Sequence, residues 1–156
     1  IQKKILIKEP RLATREEILM VHEKNFVDRF LTSQLSEKEI RRIGLRPWKK
    51  EIIKRTLYLV GGALSSLDDI FNGAVIAGNM AGGTHHAFRD AGAGYCIFND
   101  IAVASEQALR KEGIHKILVL DLDVHQGDGT AEIFFNDNRV FTVSLHGENN
   151  FPFRCG

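Results

Sequence analysis

The chain has 156 residues, of which 44% are hydrophobic and 26% charged, with 21 Lys and Arg against 20 Asp and Glu. That length makes one domain whose core hides roughly 68–70% of the surface of the unfolded chain. The composition excludes intrinsic disorder, and a net charge of +1 with a pI near 8.0 describes no protein held to nucleic acid by a basic surface. No apolar run reaches the ~20 residues of a bilayer span, and no signal-peptide pattern opens the sequence. Cys96 and Cys155 are too few for a disulfide framework, so a reduced, cytoplasmic setting is expected. The sequence starts at Ile1 and stops at Gly156 just after a strand-like run, which reads as an incomplete piece of a longer protein.

Residues 1–72 are dense in Lys and Glu, poor in Gly, and read as mainly helical. Thr14 with Glu17 has capping-box spacing, each side chain placed to bond the other residue's backbone N–H. Ile18, Val21, His22, Phe26, Val27 and Phe30 then recur at helical spacing and predict one buried stripe. Ser36 with Glu39 repeats the signal for a short helix ending near Gly44. A longer helix is expected from Trp48 to about Phe71, with Gly61-Gly62 marking close packing against another element.

Residues 73–156 change character to a parallel α/β pattern. Gly73–Gly78 is a short apolar run expected to be a buried strand. Asn99 or Asp100 caps a helix to about Gly113, and Lys116–Leu120 reads as a strand covered on both sides. A short helix over Thr130–Phe135 and a strand over Arg139–Leu145 complete an order typical of a parallel sheet. Ligands gather at the carboxyl ends of such strands, where the polar loops of this chain fall.

Three of those loops carry chemistry. In Asp121-Leu122-Asp123-Val124-His125, the polar residues are two apart and in extended chain project to one side, with Leu122 and Val124 packing on the other. Two carboxylates and an imidazole there make a mixed O and N ligand set suited to zinc, iron, manganese or cobalt. Gly127 and Gly129 let the chain turn and bring Asp128 back. In Gly82-Gly83-Thr84-His85-His86, an irregular loop lets both imidazoles face one cavity, where a neutral imidazole can take and return a proton. Asp121 and Asp128 are available as partners, one for each histidine. In Gly92-Ala93-Gly94-Tyr95-Cys96, Tyr95 could wall a narrow channel, and Cys96 reads as a small buried hydrophobe rather than a nucleophile.

Together GGTHHAF, GAGYCIFND, DLDVHQGDGT and SLHGENNFPFR resemble the histone deacetylase family in order and approximate spacing, most closely its bacterial and class IV-like branch. The resemblance covers about His22 to Arg154. It implies a three-layer α/β/α fold with a mostly parallel sheet, arginase/deacetylase-like and incomplete at both ends. It implies Asp123 and His125 as zinc ligands, with Fe2+ an alternative metal. It implies His86 with Asp128 as general base and acid, and His85 with Asp121 as an electrostatic pair. The Gly94 carbonyl matches the group that accepts the substrate amide hydrogen, and Tyr95 and Phe151 match the walls of an acetyl-lysine tunnel. Asp121, backbone oxygens of Asp123, His125 and Leu145, and the Ser144 hydroxyl match a structural K+ site. Gln126 stands where eukaryotic members often have His. The family's third zinc ligand, its carbonyl-polarising tyrosine and its first strand and helix have no counterpart in these residues. The implied reaction is hydrolysis of acetyl-lysine in protein, or of an acetylated small amine, with no nucleic acid or membrane as partner. Two other readings stay open on the residues: a catalytically incomplete binding module, and a dimetal ureohydrolase of the arginase type.

Overall fold

The computed structural model describes residues 5–153; Ile1, Arg154 and Cys155 lie outside that range. Six helices and two strands follow in order: α1 (Arg15–Ile18), α2 (Lys24–Leu31), α3 (Glu37–Ile43), α4 (Glu51–Phe71), α5 (Asp100–Leu109), β1 (Ile117–Asp121), α6 (Asp128–Ile133) and β2 (Val140–Ser144). None of these helices is long and apolar enough to cross a membrane.

Both capping boxes form. The Thr14 hydroxyl accepts from Glu17 N–H and Ser36 does the same for Glu39, while each glutamate reaches back to its cap. Gly44 ends α3 in the left-handed conformation at φ +84°, where a Cβ carries a steric cost. The six predicted stripe residues are all buried, but Ile18 belongs to α1, Phe26, Val27 and Phe30 to α2, and Val21 and His22 to the turn between them. The chain breaks at residues 19–23 because Glu23 N–H bonds Arg89 O and the His22 ring bonds Phe88 O. Tertiary partners there replace the next helical turn.

α4 packs along α5, and its two glycines admit two other segments, those of Arg11 and Asn79. A Cβ at Gly61 would overlap the backbone of Arg11, and one at Gly62 would lie 2.7 Å from the Asn79 side chain. α5 starts on the Asn99 side chain, which accepts from Ala102 N–H, and stops at Leu109, short of Gly113. The core under these helices is aromatic at its centre. Phe98 meets Phe30 edge-on at 5.1 Å and Phe26 at 5.7 Å between ring centroids. Because Phe98 immediately precedes Asn99, the same core that holds the helices anchors the glycine-rich loop.

β1 and β2 pair in parallel, with Asp121 opposite Ser144 at their carboxyl ends. Two expectations fail here. Gly73–Gly78 forms no strand, and Val75 and Ile76 are 93% and 88% exposed. An apolar run becomes a strand only beside a partner, and among the described residues none flanks it. β1 is also covered on one face only. Val119 faces the core below α5, whereas Leu118 and Leu120 are exposed on the other side with Phe141. The predicted third strand and second covering layer are therefore not formed by the described residues.

Candidate active site

The carboxyl end of β1 and the loop of residues 79–99 meet across the top of the core. His85 Nδ1 lies 2.6 Å from Asp121 Oδ2, and His86 Nδ1 lies 2.7 Å from Asp128 Oδ1. A carboxylate only accepts, so each Nδ1 carries a proton, and in the neutral form of each ring the lone pair is on Nε2. The two rings are 4.1 Å apart and both residues are 4% exposed. Each carboxylate holds its ring in one tautomer and orientation.

His85 Nε2 lies 3.9 Å from Asp123 Oδ1, which in turn lies 2.8 Å from His125 Nδ1. Asp123 and His125 thus sit side by side, with a carboxylate oxygen and an imidazole nitrogen 2.8 Å apart and joined by a hydrogen bond in which Nδ1 donates. The Asp123 carboxyl is held below its usual range, first because it accepts from the His125 backbone N–H. An anionic oxygen beside an imidazole nitrogen is a donor pair that fits a borderline divalent cation. Among the described residues no three such side chains close around one point. The residues converge although the chain after Asp121 is irregular rather than extended. Leu122 and Val124 accordingly stay exposed instead of packing inward, a correction to the alternation read from sequence.

The third loop closes one side. Gly94 has φ +51°, and a Cβ there would sit 2.6 Å from His86 Cδ2 and 3.0 Å from the Phe151 ring. Glycine is what allows this backbone so near the imidazole. Phe151 stands edge-on to His86 at 4.8 Å and reaches within 6.3 Å of the His125 ring. Tyr95 is exposed beside Gly44, and its N–H donates to Ile43 O. Cys96 is buried, and burial pushes its thiol up to about 12, so it is no nucleophile. At the strand ends, Leu145 N–H donates to Asp121 O, and Ser144 Oγ accepts from Gly127 N–H. A cavity of about 210 Å³ there is lined by Asp121, Gln126, Gly127, Thr130 and Ser144 among others.

Residues read only as caps and core turn out to set the imidazole loop. The buried Asp100 carboxylate accepts from Gly83 N–H, Thr84 N–H and the Thr84 hydroxyl, just before His85. Asn99 donates to Ala87 O just after His86, and Thr130 N–H donates to His85 O. His22 links the layers: its Nε2 accepts from Asn99 N–H and its Nδ1 donates to Phe88 O. Burial lowers its pKa to about 4, so the ring is neutral at pH 7. The available signal was a polar pair, Asn99-Asp100, at a buried helix start; one cap needs only one of them.

All 156 residues match the histone deacetylase domain. The chain belongs to the histone deacetylase family. It is 45% identical over 144 residues to an uncharacterized protein of Picosynechococcus sp., covering 92% of this chain and 47% of that one. It is 37% identical to the acetoin utilization protein AcuC of Staphylococcus aureus, covering 94% and 40%. A crystal structure of an HDAC homolog from Aquifex aeolicus superposes with TM-score 0.82 at 34% identity, over 94% of this chain and 42% of that one. A homolog complexed with SAHA matches at the same score and 35% identity. This deacetylase-family chain therefore has their α/β fold and spans less than half the length of these relatives.

Proposed function

We propose that the whole protein carrying this chain hydrolyses acetyl-lysine amides, or acetylated small amines, with His86 as the proton carrier. The observation that carries this is the pair of imidazoles, each held on a carboxylate at 2.6–2.7 Å, beside the Asp123–His125 donor pair. His86, with Nδ1 bonded to Asp128, offers Nε2 to take a proton from the attacking water and return it to the leaving amine nitrogen. Such a group contributes typically ~10²–10⁴-fold. His85 on Asp121 places a second imidazole beside it, to stabilise charge developing in the transition state. Asp123 and His125 would hold zinc, or Fe2+ on the same ligand type. A divalent cation bound there supplies Lewis acidity, bringing a water's pKa toward ~7 and polarising the carbonyl.

In this reading the Gly94 carbonyl would accept the amide hydrogen of the substrate, and Tyr95 and Phe151 would wall the approach of a thin alkyl chain. Asp121, the backbone of Asp123, His125 and Leu145, and Ser144 would hold a structural K+. The names of relatives support an acetylated substrate: a 36% identical relative is histone deacetylase 6 of Caenorhabditis elegans. A cytoplasmic setting goes with this reading. The two-carboxylate, two-imidazole pairing suits one metal with proton transfer better than a dimetal site. The test is turnover of an acetyl-lysine peptide by the full-length protein. Wild type should release acetate and His86→Ala should not, with metal content unchanged; equal turnover by the two would refute the role.

A further inference from the structure

The chain is nearly neutral, but its charge is unevenly placed. Residues 37–55 hold eight Lys and Arg against three Asp and Glu, a balance of +5, while the rest of the chain carries −4. Two of the three acids are already engaged, Glu37 with Arg41 at 3.6 Å and Glu39 with Arg29 at 2.7 Å. Lys38, Arg46, Lys49, Lys50 and Arg55 are exposed and form no ion pair among the described residues. A groove of about 680 Å³ opens in this segment, lined by Glu37, Ile40, Arg41, Arg46, Pro47 and Trp48. Ile40, Pro47 and Trp48 make its apolar part, and of its charged residues Arg41 is paired with Glu37 while Arg46 has no ion pair among the described residues.

The groove sits beside the candidate active site. Ile43 and Gly44, between Arg41 and Arg46, are the residues that hold Tyr95: Ile43 O accepts its N–H at 2.7 Å, and a Cβ on Gly44 would lie 3.2 Å from its ring. Arg42 lies over Phe88, two residues from His86, at 5.2 Å. Arg46 is two residues from Gly44, so an extended peptide at ~3.3–3.6 Å per residue spans from Tyr95 to the groove in two to four residues.

We propose that this groove selects substrates whose acetyl-lysine is flanked, two to four residues away, by acidic residues. The inference rests on the deacetylase reading for the acetyl-lysine itself and adds the chemical class of its surroundings. Arg46, with the exposed cations around the groove, pairs with Asp or Glu side chains, and Ile40, Pro47 and Trp48 take their apolar neighbours. A basic, histone-tail-like sequence is disfavoured, because it brings like charges together.

Trp48 is the single tryptophan of these 156 residues and lines the groove, so the fluorescence difference between the protein and its Trp48→Phe variant reports occupancy independently of turnover. The experiment titrates the protein with three acetyl-lysine peptides, flanked by Glu, Ala or Lys, with unacetylated versions, and with a single-stranded oligonucleotide. The Glu peptide should bind about tenfold more tightly than the Ala peptide and the Lys peptide most weakly, a gap that a few exposed ion pairs supply. Arg46→Glu should erase the preference and Arg46→Lys should keep most of it. The gap should also shrink at about 0.5 M salt. Equal affinity for the three peptides would overturn the proposal. Tighter binding of the oligonucleotide than of the Glu peptide would overturn it in favour of nucleic acid. The charge preference is read equally from the unacetylated peptides, so a failure to deacetylate any peptide counts against the function proposed above and not against this surface.

Discussion

Thirty-six residues separate His85 from Asp121, yet Nδ1 of one and Oδ2 of the other are 2.6 Å apart. The contact joins the loop before α5 to the end of β1, and the His86–Asp128 contact repeats it 42 residues apart. Two independent loops therefore share one polar centre, which is what proton transfer beside a cation requires.

Asp128→Asn keeps the shape of the His86 partner but no longer demands a proton on Nδ1. Turnover in the full-length protein should fall about 10–100-fold with little change in KM. Steady-state kinetics would show this, and a change confined to KM would contradict the assignment.

Asp123→Ala removes the anionic donor of the metal pair and leaves His125. Metal per protein after dialysis, measured by elemental analysis, should drop sharply. Asp123 is held below the ordinary carboxylate range by the His125 N–H, so it stays charged as pH falls toward its usual value. Unchanged metal content in the variant would place the ligands elsewhere.

Asp100→Ala strips the acceptor from Gly83 N–H, Thr84 N–H and the Thr84 hydroxyl. Buried donors left unpaired cost about 1–3 kcal/mol each at most, so a loss of about 3 kcal/mol is expected in urea unfolding. Amide exchange at Gly83 and Thr84 should rise well above that of α4. Protection unchanged at these two amides would show that the loop is held by something else.

Burial lowers the His22 pKa to about 4, below the ~6.5 of an unfolded chain. The unfolded state then binds more protons between pH 6.5 and 4. His22 thus contributes stability present above pH 6.5 and lost as pH falls through about 4, roughly 3 kcal/mol in all. Unfolding free energies measured across this window should fall more steeply for wild type than for His22→Gln. Parallel slopes would mean that His22 is solvated in the native state.

What was legible in the sequence was local or pairwise. Thr14 with Glu17 and Ser36 with Glu39 cap their helices because a box needs only four consecutive residues. That an aspartate was available for each histidine was legible because strand ends gather polar loops, and the resemblance to the family supplied which pairs with which, His85 with Asp121 and His86 with Asp128 as the distances have it. Three features were not. The break after Ile18 depends on Arg89 and Phe88, some 66 residues away, claiming the backbone of Glu23 and the ring of His22. Gly73–Gly78 has the composition of a strand, but a strand is a property of two segments, and no described segment pairs with it. The role of Asp100 was masked by its position, since a carboxylate in a first helical turn already has a local explanation.

The most direct measurement is imidazole 15N NMR of the protein during a Zn2+ titration. The His125 ring signals should change as zinc takes the place of the proton between its Nδ1 and Asp123, while His85 and His86 keep protonated Nδ1 atoms bonded to Asp121 and Asp128. Zinc that leaves His125 unperturbed, or that displaces the proton from Nδ1 of His86, would contradict the account.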